Sequence, residues 1–424
     1  MSLLEANDIP FICTIARLFM YICIPNANMY NMIPRQIRSV LENRLKKFPI
    51  LTLTGPRQSG KSTLLKNCFP DYQFFNLERA DYRQLIMSDP IGFLHHQGEK
   101  VIFDEAQQIP ELFSYLQVVS DERGTAGQYI LSGSQSFLMN ERISQSLAGR
   151  TSVCHLFPFD ISEIGLVDNL FESICKGFYP RIYDFDIPPH EFYPTYIQTY
   201  IERDVRSIRS IENLTTFTRF LGLCAGRIGQ VLNLSSLAND TGISVNTAKA
   251  WLSLLEASFV LYQLQPYYNN FNKRLIKSPK LYFYDTGLAC SLLNIQTGTM
   301  LRNHYLYGAL FENFVISEII KMQHHAGQRP SVYYWRDHNG IEVDCIVEDV
   351  AGQLNVLEIK GGATINNDYF KNLNRFPAHG EAVLKKVIYT GMDTFSMRDA
   401  KIVSVNSLVE TINEIVTPTP SGDR

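Results

Sequence analysis

The sequence predicts an α/β protein in which a parallel sheet comes first, a helical region follows, and a second α/β region ends the chain. Three observations predict this order: apolar and helical stretches alternate up to about residue 165, the alternation stops over residues 190–265, and it returns from about Gly308. Strands that alternate with helices indicate a parallel sheet covered on both faces. A length of 424 residues is enough for several domains of the usual roughly 100–200 residues.

The composition is that of an ordinary globular protein. Hydrophobic residues make up 45% of the chain and the formal net charge is −3, so neither value marks a nucleic-acid or membrane protein. A local basic patch is still compatible with this net charge. The eight cysteines are scattered and include no C-x-x-C pair, which favours reduced thiols over disulfides or zinc. We therefore expect a cytoplasmic protein.

Residues 1–31 form an N-terminal extension with two interpretations. The run IPFICTIARLFMYICIP is apolar, but it is shorter than the roughly 20 residues that cross a membrane, and Arg17 interrupts it. It also lacks the basic start and small-residue cleavage site of a secretory signal. Either the natural start lies near Met29 or Met32 and the extension is non-native or optional, or the extension is a peripheral membrane helix. Neither interpretation predicts stable membrane insertion.

From Pro34 to about residue 165 the pattern predicts a sheet with covering helices. The stretch RQIRSVLENRLKKF has helical periodicity. The five predicted strands are PILTLTG, YQFFNLE, EKVIFDEAQ, GQYILSGS and TSVCHLFPF. The first strand runs into a glycine-bearing loop and the third ends in two acids, and these two places carry the candidate chemistry.

The glycine-bearing loop, GPRQSGKST, matches the phosphate-binding pattern G-x-x-x-x-G-K-[ST] between a predicted strand and a predicted helix. The predicted nucleotide-binding residues are Gly55, Pro56, Arg57, Gln58, Ser59, Gly60, Lys61, Ser62 and Thr63. Backbone N–H groups of such a loop close around phosphates, and the helix N-terminus adds a positive dipole end. We expect Lys61 to reach the β- and γ-phosphates of ATP and to act in catalysis, and the Ser62 hydroxyl to bind Mg²⁺. The alternative is a glycine turn with a solvated lysine.

The two acids that end the third strand, in VIFDEAQ, are expected to complete the site. Asp104 is predicted to hold the Mg²⁺ shell, and Glu105 to polarise the attacking water. Adjacent acids at a strand end are common, but at this distance after a phosphate-binding loop they specifically indicate a site of nucleotide hydrolysis.

Three further polar residues are candidates for the γ-phosphate. Ser134, in ILSGS, is expected to touch the γ-phosphate or orient the water, although serine also ends strands for reasons of turn geometry. Arg150, in SLAGRT, and Arg203, in YIERDVRSI, are candidate arginine fingers, a role that contributes roughly 10³–10⁵ in rate. Each arginine has the alternative of a surface or structural ion pair.

These motifs and their order resemble those of a known family. The segments MIPRQI, FPILTLTGPRQSGKSTLL, FNLE, VIFDEAQ, YILSGSQSFLM, SLAGRT, FPFDISE and YIERDV resemble the AAA+-type ATPases of bacteria and archaea that carry a C-terminal domain of unknown function. The resemblance covers about Met32 to residue 400 and implies a C-terminal region similar to restriction-endonuclease-like, or PD-(D/E)xK, folds.

The pattern and the resemblance together predict four regions after the extension. An AAA+-type P-loop ATPase domain is expected at 32–165, a helical linker and winged-helix domain at 166–299, a restriction-endonuclease-like α/β domain at 300–410, and a disordered tail at 411–424. The winged-helix expectation rests on the helix–turn–helix character of LSSLANDTGISVNTAKAWLSLLEAS and on the two strands that follow it.

The hairpin EVDCIVEDVAGQLNVLEIK carries the pattern of a PD-(D/E)xK site. Asp344 lies on its first strand, and Glu358 and Lys360 share one face of its second strand. Glu312, in GALFENFVISEII, is predicted to face inward from a helix, where an acid needs a partner or a metal. Such a set binds one or two Mg²⁺ or Mn²⁺ ions in nucleases. The alternatives are a salt bridge on an ordinary hairpin, or an inactive fold kept for binding.

The segment NKRLIKSPK is the predicted basic tip of the wing. Its positive residues, Lys273, Arg274, Lys277 and Lys280, could contact phosphates, or form a solvated tip or a protein contact. Two functions are therefore compatible with the sequence. In the first, Mg²⁺-dependent ATP hydrolysis gates metal-dependent DNA cleavage. In the second, ATP drives a switch or scaffold whose inactive nuclease-like domain binds DNA or protein. A homo-oligomer or a partner protein is compatible with either.

Overall fold

The computed structural model describes residues 33–134, 143, 145–166, 169–201, 213–267, 278–377 and 383–417. The described residues from Arg35 onward pack as one unit, so the boundaries expected near residues 165, 299 and 410 stay predictions. The expected N-terminal extension, 1–31, lies outside the described residues.

The first sheet has five parallel strands in the order β2–β3–β4–β1–β5. They are β1 (Ile50–Thr54), β2 (Gln73–Asn76), β3 (Val101–Asp104), β4 (Tyr129–Gly133) and β5 (Thr151–His155). Strands β1, β3 and β4 are buried along their whole length, as expected for the centre of a parallel sheet covered on both faces. The predicted strands and their parallel arrangement are confirmed.

The register brings the carboxyl ends of the strands to one edge of the sheet. Thr54, the last residue of β1, pairs with Gly133 on β4 and with His155 on β5. Asp104, the last residue of β3, pairs with Asn76 on β2. The loop after β1 and the acids after β3 therefore lie at the same edge, with β4 between them.

Five helices that lie wholly within the described residues pack around this sheet. They are α1 (Arg38–Leu45), α2 (Lys61–Cys68), α3 (Ala80–Ser88), α4 (Pro90–Gln97) and α5 (Leu112–Arg123). Successive residues of a strand face opposite sides. Accordingly, Ile130 of β4 packs in one core with Leu65 of α2, while Leu131 packs in the other with Phe113 of α5.

The middle of the chain is helical, as predicted, and ends in two antiparallel strands. The elements are α6 (Ile161–Ile164), α7 (Leu170–Lys176), α8 (Pro180–Asp184), α9 (Pro189–Tyr196), α10 (Leu214–Ala225), α11 (Leu234–Thr241), α12 (Val245–Ala257), β6 (Leu261–Leu264) and β7 (Lys280–Phe283). Helix α11 ends at Gly242, which has φ +82°, and the Ser244 side chain then caps α12 by accepting the Thr247 amide. This turn lies where the sequence predicts it.

The last region contains a mixed sheet of six strands in the order β12–β13–β11–β10–β9–β8. Its elements are α13 (Thr286–Leu292), α14 (Gly298–Arg302), α15 (Tyr307–His325), β8 (Val332–Arg336), β9 (Glu342–Glu348), β10 (Leu354–Lys360), α16 (Tyr369–Leu373), β11 (Val383–Tyr389), β12 (Phe395–Met397), β13 (Ala400–Ser404) and α17 (Leu408–Val416). The antiparallel hairpin β9–β10 is the predicted one.

Two further features of this region are the helical end of the chain and the buried helix α15. The predicted disordered tail at 411–424 begins too early, because residues 411–416 belong to α17, where Ile412 and Ile415 are buried. Helix α15 is buried over most of its length and bears an unusual number of buried polar side chains. None of the helices in the described part of the chain is long and apolar enough to cross a bilayer.

Candidate functional site

The loop after β1 has a backbone that requires glycine at its start. Gly55 has φ +153°, and a Cβ atom at this position would lie 2.0 Å from the carbonyl oxygen of Leu156. Gly60 has φ +92° and directly precedes α2, which begins at Lys61. The loop therefore turns sharply out of β1 and delivers the N-terminus of α2 to the edge of the sheet.

The Lys61 side chain lies inside this loop. Its Nζ donates hydrogen bonds to the carbonyl oxygens of Gly55 at 2.9 Å and Pro56 at 2.8 Å, and the residue is only 5% exposed. The ammonium group is thus held within the curve of the loop, where its charge favours a phosphate.

The Asp104 carboxylate joins β3 to the loop and to β4. Its Oδ2 accepts a hydrogen bond from the Ser62 hydroxyl at 2.7 Å, and its Oδ1 accepts one from the Ser132 hydroxyl. Asp104 is 3% exposed, so these two hydroxyls fix its orientation. Ser132 is not predicted from the sequence, and its only signal is its place one residue before the end of the strand beside β3.

Glu105 follows Asp104 in a strained conformation. Its φ is +56°, a left-handed value that costs a non-glycine residue roughly 1–3 kcal/mol and is typical of functional sites. Its Oε2 accepts hydrogen bonds from the Ser134 hydroxyl at 3.2 Å and from the Gln107 side-chain amide. The structure thus brings Ser134 to Glu105, as neighbours at one edge of the sheet. Gln107 is a further contact that the sequence does not predict.

The arginine candidates are placed differently. Arg150 lies beside Ile50, at the amino end of β1, and so at the edge of the sheet opposite the phosphate loop. Its guanidinium pairs with both carboxylate oxygens of Asp121, at 2.6 and 2.7 Å. Arg150 is therefore not placed to touch a nucleotide bound to its own chain. It could act as the predicted arginine finger only on a nucleotide that is bound to a neighbouring subunit. Arg203 lies outside the described residues.

In the C-terminal region, Asp344 and Lys360 meet where the β9–β10 ladder ends. Oδ2 of Asp344 accepts the backbone N–H of Ile359 at 2.8 Å and the Lys360 ammonium at 3.0 Å. The Lys360 ammonium also lies 2.8 Å from Oε1 of Glu358. The three predicted hairpin residues are thus in direct contact, with the lysine between the two acids.

Glu312 joins this group from α15 and is paired with a different lysine. Its Oε1 accepts a hydrogen bond from Lys280 Nζ at 3.1 Å and another from the Tyr282 hydroxyl. Lys280 also pairs with Glu342 and is only 2% exposed. The prediction that Lys280 belongs to an exposed phosphate-contacting tip is therefore wrong, because its charge is neutralised inside the protein. The other positive residues of that tip lie outside the described residues.

Burial raises the pKa values of two of these carboxylates, Glu358 and Glu312. Burial, together with the neighbouring Asp344 charge, raises the pKa of Glu358 to about 8, although the Lys360 charge opposes this shift. Burial likewise raises the pKa of Glu312 to about 7, with Lys280 opposing and Asp344 contributing. We call Glu312, Glu342, Asp344 and Glu358, with Lys280 and Lys360, the acidic cluster.

The oxygen donors of the acidic cluster are of the kind that Mg²⁺ and Mn²⁺ prefer. Their arrangement fits such an ion less well. Within the described parts of the chain, the one group of three potential ligands whose atoms lie within 4.8 Å of one another is Asp160, Glu163 and His325, not the predicted acids. Ammonium groups stand between the predicted ligands instead.

Three family models match consecutive parts of the chain. Residues 47–165 match an AAA domain, residues 167–299 match a domain of unknown function (DUF8612), and residues 307–408 match a domain of unknown function (DUF4143).

Proteins similar over most of the chain occur in several bacteria. An uncharacterized protein of Mycobacterium tuberculosis, Rv2008c, is 31% identical over 339 residues, which is 78% of this chain and 74% of that protein. An uncharacterized protein of Haemophilus influenzae is 22% identical, covering 64% of this chain and 74% of its own length. Among solved structures, the Walker-type ATPase PABY2304 of Pyrococcus abyssi matches with a TM-score of 0.43 and 16% identity, over 65% of this chain and 99% of that one.

Proposed function

This chain belongs to the same family as the uncharacterized protein Rv2008c of Mycobacterium tuberculosis, and because its own residues 47–165 match an AAA domain, we propose that it binds and hydrolyses Mg·ATP and that this reaction changes the state of its C-terminal region. The observation that supports hydrolysis best is the Asp104 carboxylate, which is held by Ser62 of the phosphate loop on one side and by Ser132 of β4 on the other.

Each residue at this edge has a role in the proposed reaction. Ser62 and Asp104 would hold Mg²⁺, which neutralises phosphate charge when it is bound. Lys61 moves from the loop carbonyls to the phosphates and adds positive charge there. Glu105 accepts the proton of the attacking water, and Ser134 orients the Glu105 carboxylate through their hydrogen bond.

The experiment for this part measures phosphate release and ATP affinity together, in the wild type and in Glu105→Gln. A variant that binds ATP normally and hydrolyses it slowly supports Glu105 as the base. Wild-type protein that binds no ATP in the presence of Mg²⁺ would overturn the proposal.

For the C-terminal region we propose two alternative functions. A restriction-endonuclease-like fold with a site at Glu312, Asp344, Glu358 and Lys360 is supported by the contacts of Lys360 with both hairpin acids. An inactive, nuclease-like binding module is supported by the spacing of the carboxylates, which do not gather as three ligands, and by the two ammonium groups among them. The winged helix that we propose for the middle region is supported by the order α10, α11, α12, β6, β7 and by the bridge between Val231 and Lys280.

One assay separates these two functions. Supercoiled and single-stranded DNA are incubated with the protein and Mg²⁺ or Mn²⁺, with and without ATP, beside Glu358→Ala. Cleavage that disappears in the variant makes the acidic cluster a nuclease site. Salt-dependent DNA binding without cleavage, at intact ATPase activity, favours the switch or scaffold.

A further inference from the structure

A short segment after β5 is held by side chains of helix α15. This connecting segment, residues 157–161, leaves the first sheet and runs into the first residue of α6. The backbone N–H of Phe157 donates to Nε2 of His325 at 3.2 Å. The Lys321 ammonium donates to the carbonyl oxygen of Phe159 at 2.8 Å. These backbone groups, which follow the last strand of the first sheet, are thus paired by side chains of α15.

The third contact is made one residue beyond Asp160. The backbone N–H of Ile161 donates to Oε2 of Glu318 at 2.8 Å. Glu318 also forms an ion pair with Lys321, one helical turn away. Glu318, Lys321 and His325 are each 1% exposed or less, so the Glu318–Lys321 ion pair and the hydrogen bonds of all three side chains are shielded from water. Groups buried in this way are costly unless they are fully paired, which makes the arrangement specific.

Arg35 holds the same segment from the other side and connects it to the phosphate loop. Its Nη1 donates to the carbonyl oxygen of Ser59 at 2.8 Å, and its Nη2 donates to that of Phe157 at 2.6 Å. Its Nε donates to Glu163 at 3.0 Å. Ser59 directly precedes Gly60 and Lys61, so a movement of the loop around a bound phosphate reaches Arg35 through a single hydrogen bond.

Asp160 contacts both Glu163 and His325 of α15, and so links the two. Its carboxylate pairs with Nδ1 of His325 at 2.6 Å, and its backbone N–H donates to Glu163 at 3.1 Å. Because Nε2 of His325 accepts a hydrogen bond from the Phe157 amide, the ring proton lies on Nδ1, which donates a hydrogen bond to Asp160. Burial acts to raise the pKa of Asp160, but His325, Ser162 and Lys321 lower it to about 2.

The group Asp160, Glu163 and His325 has ligand atoms close enough for a metal ion, but protein donors already use them. The Glu163 carboxylate accepts Arg35 and the Gln36 amide, and Nε2 of His325 accepts the amide that follows β5. The cluster is therefore a hydrogen-bond network between two regions of the chain.

We propose that Glu318, Lys321 and His325 of α15 are positioning residues for the phosphate loop, acting through the connecting segment and Arg35. ATP binding and the C-terminal region are then energetically coupled. This inference rests on the proposed ATPase function. The same helix carries Glu312 of the acidic cluster 13 residues before His325, a distance of about 20 Å along a rigid helix. A shift of α15 is thus felt at both ends, and the coupling is reciprocal.

The first test uses the unaltered full chain. Amide hydrogen exchange is compared with and without Mg²⁺ and the non-hydrolysable analogue AMP-PNP. We expect exchange to slow by roughly fivefold or more at the amides of Phe157 and Ile161 and in the last two turns of α15, as well as in the phosphate loop. Slowing confined to the phosphate loop and the end of β3 would overturn the proposal.

The second test compares two buried lysines of the C-terminal region. Lys321→Met removes the ammonium that holds the connecting segment, whereas Lys386→Met removes one that contacts Asn355 within the second sheet. We expect the first to raise the KM for ATP roughly fivefold or more with little change in kcat, and the second to leave KM within about twofold. A purely structural role would lower the active fraction, and so kcat, at unchanged KM. Equal effects of the two variants on KM would overturn the proposal.

A double variant tests whether Arg35 lies on the same route. If Lys321 acts through Arg35, then Lys321→Met adds little to the KM increase of Arg35→Lys, whereas effects that multiply contradict a shared route. Failure of the two proposals is distinguishable. Wild type that does not bind ATP refutes the ATPase, whereas wild type that binds ATP with an unresponsive connecting segment refutes only the coupling.

Discussion

The Ser62 hydroxyl donates a 2.7 Å hydrogen bond to Asp104, and this contact joins two segments that lie 42 residues apart in the chain. It exists because α2 begins where β1 ends, while Asp104 ends β3 at the same edge of the parallel sheet. The hydroxyl and the carboxylate are both oxygen ligands that Mg²⁺ accepts. Their contact is the geometric basis of the proposed ATPase.

Glu105→Gln removes the proposed proton acceptor and keeps the shape of the side chain. We expect ATP affinity close to that of the wild type and hydrolysis slower by about 100-fold or more, the usual effect of losing a general base. Phosphate release and binding of a fluorescent ATP analogue measure the two quantities. Glu111→Gln, an exposed acid just before α5, is the matched control. Equal hydrolysis rates in the two variants would contradict the role of Glu105.

Gly55→Ala places a Cβ atom against the Leu156 carbonyl in a backbone conformation that side chains rarely adopt. Strain of about 1–2 kcal/mol and overlap of about 1–3 kcal/mol act together, so we expect the free energy of unfolding to fall by about 3 kcal/mol. Gly124→Ala is the control, since φ is +64° there but the space is open, and it should cost about 1 kcal/mol. Denaturant unfolding gives both values, and equal losses would refute the steric argument.

The raised pKa of Glu358 predicts that the stability of the protein depends on pH. Its pKa is about 8 in the folded protein and about 4.3 in an unfolded chain, so the folded state binds more protons between these values. Stability contributed by this group is therefore present below about pH 4 and is lost as the pH rises to about 8, by at most about 1.4 kcal/mol per pH unit. Glu358→Gln should flatten this loss, and Glu348→Gln, an exposed acid of β9, should not. Unfolding curves at pH 5 and pH 8 test this, and identical slopes would contradict it.

Lys280→Met removes the buried ammonium that Glu312 and Glu342 share, so that Glu342 keeps Arg336 whereas Glu312 loses its ion pair. Breaking such a pair usually costs about 3–5 kcal/mol, and we expect a loss of that size in the free energy of unfolding. Adding Glu312→Gln should restore part of it, because one uncompensated charge is removed. Lys371→Met, at an exposed lysine of α16, serves as the control. A loss under about 1 kcal/mol would show that Lys280 is not neutralised inside the protein.

Arg150 lies too far from the phosphate loop of its own chain to assist hydrolysis there. We therefore expect Arg150→Ala to bind ATP like the wild type and to hydrolyse it slowly only if a neighbouring subunit supplies the arginine. Mixing Arg150→Ala with Lys61→Ala then restores activity, since one interface combines an intact loop with an intact arginine. Activity of Arg150→Ala equal to wild type would limit the residue to its ion pair with Asp121.

The sequence predicts the parts of the site that are local in the chain. The phosphate loop is one continuous pattern, and Asp104 and Glu105 follow a strand that its apolar residues reveal. Ser132 is missed because single serines are common everywhere, and only the register of the sheet shows that it reaches Asp104. Gln107 is missed although it lies two residues after Glu105, because the left-handed backbone of Glu105 in the turn that follows β3 is not evident from the sequence.

The parts that depend on distant contacts are misread or missed. Lys280 belongs to a basic stretch that looks exposed, and its burial depends on Glu312, which comes 32 residues later. The pairing of Asp160 with His325 spans 165 residues. Glu318, Lys321 and His325 are missed because their partners in the connecting segment lie 157 to 168 residues earlier in the chain. The helix–turn–helix, in contrast, follows from its turn glycine, Gly242, which is a local signal.

Whether the phosphate loop hydrolyses ATP is decided by Mg²⁺-dependent phosphate release from the full chain, measured beside Lys61→Ala. We expect steady release by the wild type that stops when Mg²⁺ is chelated, and no release by the variant. Equal release by wild type and Lys61→Ala would contradict the account, because the lysine held by the Gly55 and Pro56 carbonyls would then have no part in the reaction.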